Sequence, residues 1–331
     1  VFAIKPLQRR ISKTHPGPLL LLALTLLLTW VAMPANAGDA EPTSDTRPTI
    51  GLALGSGGAG GLAHIAILQA FDELGLQPDY IAGTSIGAII GGLYAAGLSA
   101  EEILDIFDDF AGSEMDALSR LARSDLELFE LIPLRLGRNA LLDADTFLRF
   151  LATHTPTRSF DELRIPLTVV ATDYWTSQTV TLQEGELFPA IAASMAVPGL
   201  FAPVPSDDGR LLIDGGASNP LPYDLLRDKV DIVIAVDVSG AWNVANQPLP
   251  GLTDLLFKTF SIMQKSLIRE MIRREQPDLY LAPDTGGAQL LHFNRIHLIL
   301  EAAQPSAAEL RQHLKDWRPG DAVTRDQGTR Q

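Results

Sequence analysis

Gly83-Thr84-Ser85-Ile86-Gly87 sets a serine between two glycines in the pattern G-x-S-x-G. The pattern falls between a predicted strand, Asp79–Ala82, and a predicted helix, Ile86–Ala96. A sharp strand-to-helix turn lifts a hydroxyl above the sheet, and flanking glycines let the backbone bend and a substrate approach. The start of the helix also favours negative charge developing beside it. Such a serine is a candidate nucleophile for acyl transfer. The competing reading is a serine that only caps its helix.

A second cluster lies upstream. Gly55-Ser56-Gly57-Gly58-Ala59-Gly60-Gly61 leaves a predicted strand and opens a predicted helix, so its unhindered amides can face an anion. Two functions compete for it. As G-x-G-x-x-G it matches a dinucleotide fingerprint, which needs an acid near the far end of the next strand to hold ribose. Asp79 stands at about the right separation but precedes that strand, so the fingerprint is incomplete. The other function is an oxyanion hole, with Gly57 and Gly58 donating N–H groups to an intermediate formed at Ser85.

A serine nucleophile needs a base. Asp214 ends a predicted strand and precedes Gly215-Gly216, where a carboxylate can accept the Ser85 proton directly; the rival reading is an aspartate that organises a turn. His64 lies within the first helix and reads as a packed residue. His292 and His297 follow Ser85 and offer the Ser–Asp–His order of an α/β hydrolase triad, but neither occupies a glycine turn.

The elements around these residues alternate between the two periodicities. Thr49–Leu54 reads as a strand, Leu62–Leu74 as a helix, and Ser99 with Glu102 forms a capping box for a third helix. Ile165–Thr172 and Ile232–Val238 are apolar runs of buried-strand type, with Thr179–Leu182 expected to pair beside the first. Leu211–Ile213 leads to Asp214. A helix over Phe188–Met195, a long amphipathic helix over Leu252–Arg274, a strand at Leu279–Ala282 and a helix near Ile296–Ala303 complete the series. Strand and helix in quick succession predict an α/β fold with a largely parallel sheet. Residues 112–160 are less regular and read as an inserted helical region, in which 126–142 is a candidate lid or lipid-contact segment as well as an ordinary packing helix.

Composition bounds the partners. The 331 residues are 46% hydrophobic and 20% charged, enough for a sizeable core. Lys5, Arg9, Arg10 and Lys13, then the apolar run Leu19–Val31, then Ala35-Asn36-Ala37 have the order of a secretory signal peptide. The run is shorter than the roughly 20 residues that span a bilayer. Export to the periplasm or medium is therefore expected, with residues 1–37 removed and 38–48 a linker. That removal takes four basic residues and no acid, moving the net charge from −14 to −18. So acidic a chain is a poor partner for nucleic acid, and lipid contact should rely on apolar burial. There is no cysteine, hence no disulfide or thiolate metal site.

Taken together, five segments resemble the patatin-like phospholipase family, in its exported bacterial form: Gly55–Gly61 with Leu-Ala-His, residues 80–87 (YIAGTSIG), 171–173 (ATD), 193–198 (ASMAVP) and 214–216 (DGG). The resemblance spans about Thr49 to Ala303, with 304–331 left as a polar tail. It implies a three-layer α/β/α sandwich and hydrolysis of lipid acyl esters by a Ser–Asp dyad, without metal, nucleotide or other cofactor. Ser85 then corresponds to the nucleophile, Asp214 to the base, and Gly57 and Gly58 to oxyanion donors. One departure stands out. The family's loop usually carries Arg or Lys where this chain has Gly60, and a glycine supplies no charge-assisted hydrogen bond to a phosphate. Esters without phosphate, or with short acyl chains, are accordingly expected to be handled relatively well. Three other functions stay open on the residues alone: a triad hydrolase using His292 or His297, a nucleotide-binding module, and an exported lipid-binding protein without turnover.

Overall fold

β1 (Ile50–Leu54) is buried along its whole length and lies inside the sheet, with a parallel partner on each side. Side chains alternate across a strand, and here the alternation sorts by size. Leu52, Leu54, Ile81, Ile234 and Val236 face one side, while Ala53, Ala82, Val233 and Ala235 face the other. The bulky side is covered by α1 (Ala63–Glu73), α2 (Ile86–Ala95), α3 (Ala100–Ser113) and α7 (Ile296–Asp316). The small-residue side receives Leu221, Tyr223 and Leu226, together with Ile268 from α6 (Leu252–Arg274). The result is the expected three-layer α/β/α sandwich with a largely parallel sheet. In this computed structural model the described residues are 47–113, 144–240, 252–288 and 292–316. The segment 1–37, most of the linker, the candidate lid 126–142 and the last residues of the tail lie outside them.

The sheet has the order β5-β6-β3-β2-β1-β7-β8, with β4 paired to β3 off this path. β3 (Leu167–Asp173), β2 (Tyr80–Thr84), β1, β7 (Ile232–Val236) and β8 (Leu279–Leu281) run parallel. β4 (Thr179–Leu182), β5 (Val204–Pro205) and β6 (Leu211–Asp214) are antiparallel to their neighbours. Two further helices are α4 (Ala144–Thr153), inside the irregular region, and α5 (Leu187–Ser194).

Most local signals act as read. Ser99 Oγ accepts the Glu102 N–H at 3.2 Å and Glu102 accepts the Ser99 N–H at 2.7 Å, closing the capping box of α3. One boundary moves. The last helix does not stop near Ala303 but continues to Asp316, so residues 304–316 belong to the packed layer and not to a polar tail. Ala303, Ala307, Leu310 and Leu314 recur at helical spacing and are buried. The polar residues between them face outward, and Arg311 pairs with Glu73 of α1 at 3.1 Å. The short strand β5 carried too few residues to stand out in the sequence.

Candidate active site

β3 explains how two turns 129 residues apart come to touch. Thr84, the last residue of β2, pairs with Val170, and Asp214, the last residue of β6, pairs with the next residue, Ala171. β4 already occupies one edge of β3 at Ala171 and Thr172. β6 must therefore use the other edge, where β2 has just ended. The two strands abut end to end along β3, one arriving from each direction. Each then turns away, and their terminal side chains share the gap.

The turn at Ser85 is strained by design of its neighbours. Ser85 has φ 57° and ψ −121°, a backbone state that a residue with a side chain adopts at a cost of about 1–3 kcal/mol. Its surroundings leave no alternative path. A Cβ on Gly87 would stand 2.1 Å from the Leu54 carbonyl oxygen, and one on Gly83 would stand 2.5 Å from the Gly87 carbonyl oxygen. Helix α2 can thus start hard against the sheet only with glycine at both positions. The Ser85 N–H donates to Ser194 Oγ at 2.8 Å, and Ser194 donates in turn to the Val170 carbonyl at 2.6 Å. Ser194, fully buried at the end of α5, ties the elbow to β3.

At the centre, Ser85 Oγ donates to Asp214 Oδ2 at 2.6 Å. The other carboxylate oxygen, Oδ1, accepts the Gly216 N–H at 2.7 Å. Asp214 is wholly buried, and Thr172 Oγ1 donates to its main-chain carbonyl at 3.0 Å. Burial pushes the Asp214 carboxyl up to about 6 from an ordinary 3.8; the bonds from Ser85 and Gly216 pull the other way but are weaker. The carboxylate is therefore a stronger base than a solvated one and still ionised at neutral pH.

Gly57 and Gly58 line the same small recess of about 40 Å³ as Ser85 and Asp214. Gly58 has φ +55°, the left-handed region that glycine adopts without strain. Ser56, whose buried hydroxyl has no partner, and Phe257, Phe260 and Gln264 from α6 complete much of the wall. Gly60 is buried just behind it. A side chain there would begin 3.1 Å from the Val238 carbonyl oxygen and 3.2 Å from Thr285 Cγ2, both residues of the recess wall.

The histidines lie elsewhere. His64 is fully buried in α1 and its Nε2 meets the Gly55 carbonyl at 2.8 Å, while burial lowers its pKa to about 4. It is a neutral donor that fastens the start of the glycine loop. His297 projects from α7 toward Asp108 at 3.2 Å and is 75% exposed; neither it nor His292 lines the recess. Asp79 is held by Arg47 at 2.8 Å and by the Ile50 N–H at 2.7 Å, at the end of the sheet opposite the glycine loop, so it cannot reach a ribose there. No group of three or more His, Cys, Asp or Glu side chains among the described residues is arranged to hold a metal ion.

The geometry thus unites Ser85, Asp214, Gly57 and Gly58. Sequence reasoning assigned no role to Ser194, Thr172 or the inner face of α6. A lone serine in the apolar run 187–194 (LFPAIAAS) was the available signal for the first. The other two depend on contacts between distant elements.

The chain is similar to several known proteins. The profile of the family described as patatin-like phospholipase matches residues 52–227, more than half of the chain. An uncharacterised NTE family protein of Mycobacterium tuberculosis is 37% identical over 210 residues, 63% of this chain and 54% of that protein. Human patatin-like phospholipase domain-containing protein 6 is 33% identical over 195 residues, 58% of this chain and 14% of that protein. The chain therefore spans at most about half the length of these curated relatives. Among solved structures, VipD from Legionella pneumophila aligns with a TM-score of 0.48 at 13% identity, over 81% of this chain and 67% of that one.

Proposed function

The chain belongs to the patatin-like phospholipase family, and on that premise we propose that it is a serine lipid acyl hydrolase working through a Ser85–Asp214 dyad. The observation that carries this reading is the 2.6 Å hydrogen bond from the Ser85 hydroxyl to a fully buried carboxylate. Asp214 Oδ2 takes the hydroxyl proton as Ser85 Oγ bonds to the acyl carbon. The Gly57 and Gly58 amides receive the oxyanion, a role supported by their place in the recess beside Ser85. As the intermediate collapses, the bond to the alcohol breaks and Asp214 returns its proton to the departing oxygen. Water then attacks the acyl-serine, losing a proton to Asp214, and Ser85 is regenerated. Gly216 holds the carboxylate in place throughout, and Ser194 keeps the strained elbow from relaxing.

Gly60 leaves the recess without the cation that the family resemblance leads one to expect, which favours acyl esters lacking a phosphate. Export belongs to the same proposal, resting on the charge and hydropathy order of residues 1–37. A serine-reactive fluorophosphonate tests the catalytic reading. The intact chain should be labelled covalently and Ser85→Ala should not. Equal labelling of both proteins, or of neither, would remove Ser85 as the nucleophile, and labelling of neither would leave lipid binding without turnover.

A further inference from the structure

α6 carries apolar residues on both of its faces. The inner face supplies Phe257, Phe260 and Gln264 to the recess and packs Ile268 beneath the sheet. The outer face presents Leu255, Leu256, Ile262 and Met263, each more than half exposed, followed by Leu267. At 100° per residue these five fall on one side of the helix, and only Thr259 and Ser266 lie among them. Both hydroxyls are turned back on the helix: Thr259 donates to the Leu255 carbonyl at 2.8 Å and Ser266 to the Ile262 carbonyl at 3.0 Å. The outer face from 255 to 267 therefore offers neither a charge nor an unsatisfied hydroxyl donor. That suits contact with hydrocarbon better than contact with water.

One flank of this stripe and the C-terminal end of the helix have the opposite sign to the rest of the chain. α6 contains Lys258, Lys265, Arg269, Arg273 and Arg274 against two acids, Asp254 and Glu270, the second of which pairs with Arg273, in a chain of net charge −14. An apolar stripe with cations along one border and at one end is the composition of a helix that lies in a lipid interface. Phe257 and Phe260 of α6 stand in the wall of the recess, so the helix that carries the outer stripe also borders the site. A second apolar group, the exposed pair Tyr174 and Trp175, follows β3 at the sheet edge where Ser85 sits.

We propose that the outer face of α6 docks on a lipid surface containing anionic lipid, and so brings the recess to aggregated substrate. The inference rests on the acyl-hydrolase reading for what happens after docking, but docking itself is measurable without turnover. Sedimentation with vesicles of phosphatidylcholine and about one-third phosphatidylglycerol is to be measured on the full chain carrying Ser85→Ala. Adding Leu256→Glu and Met263→Glu should weaken vesicle binding at least about tenfold, while Leu298→Glu, on the exposed side of α7, should leave it unchanged. With Ser85 restored, the α6 double variant should hydrolyse a soluble short-chain ester like the parent and lose activity on vesicles. Unchanged vesicle binding by the α6 double variant overturns the proposal. So does an equal loss with Leu298→Glu, or a double variant that turns a dimer into a monomer without altering vesicle binding. Failure of ester hydrolysis with vesicle binding intact overturns the enzyme assignment and leaves the docking surface standing.

Discussion

Asp214→Asn removes one ionisation and almost nothing else, and its effect can be worked out in advance. Burial raises the folded-state pKa of Asp214 from 3.8 to about 6, so the fold prefers the protonated acid. The associated stability is fully present below about pH 4 and is lost as pH rises through 6. Relative to the protonated state, the ionised carboxylate weakens the fold by about 1.6 kcal/mol at pH 5 and by about 3 kcal/mol at pH 8. Asparagine has no such slope, and its carbonyl still accepts the Gly216 N–H. Urea unfolding at pH 5 and pH 8 should therefore show the variant gaining about 1.4 kcal/mol on the parent between the two values. Comparing increments cancels any constant change in hydrogen bonding. The same variant should lose about 10²- to 10⁴-fold in hydrolysis at pH 8, the range for removal of a general base. The parent's kcat/KM should rise with pH through about 6 and then level. A flat increment, or one in which the variant falls behind as pH rises, would mean that Asp214 is not an uncompensated buried carboxylate, and the argument for its basicity would fail.

Three other perturbations address the remaining parts of the site. Gly87→Ala drives a Cβ to 2.1 Å from a main-chain oxygen of β1 and should cost about 3 kcal/mol or more in thermal or urea unfolding; a loss under 1 kcal/mol would show that the elbow is not sterically locked. Ser194→Ala leaves the Ser85 N–H and the Val170 carbonyl unpaired, for a loss of about 1–3 kcal/mol, and should lower kcat with little change in KM; a rise in KM alone would place Ser194 in binding and not in holding the elbow. Without a cation at position 60, a neutral glyceride should be hydrolysed faster than phosphatidylcholine of the same acyl chains when both are presented in mixed micelles, and the reverse order would contradict that preference.

Local pieces are legible along the chain because each is written in short-range chemistry. The glycines at 83 and 87 specify a turn that only they can make, and the apolar runs at 50–54, 165–172 and 232–238 can be little other than buried strands. Ser99 and Glu102 cap their helix with atoms three residues apart. Legibility fell where signals were short or two-faced. The two-residue strand β5 offers no period to detect, and the run from 304 to 316 looks polar unless its buried positions, Ala307, Leu310 and Leu314, are read as one face. Which residues become neighbours is settled by the packed fold. Asp214 meets Ser85 because β6 pairs with β3 one residue beyond the end of β2, and its burial there raises its pKa. Ser194 becomes a support because α5 ends beside the elbow, and α6 becomes a wall of the recess because its inner face reaches across the sheet edge. Proximity between residues more than a hundred positions apart is set by strand register and by packing of the whole core, and neither is encoded in any one stretch of chain.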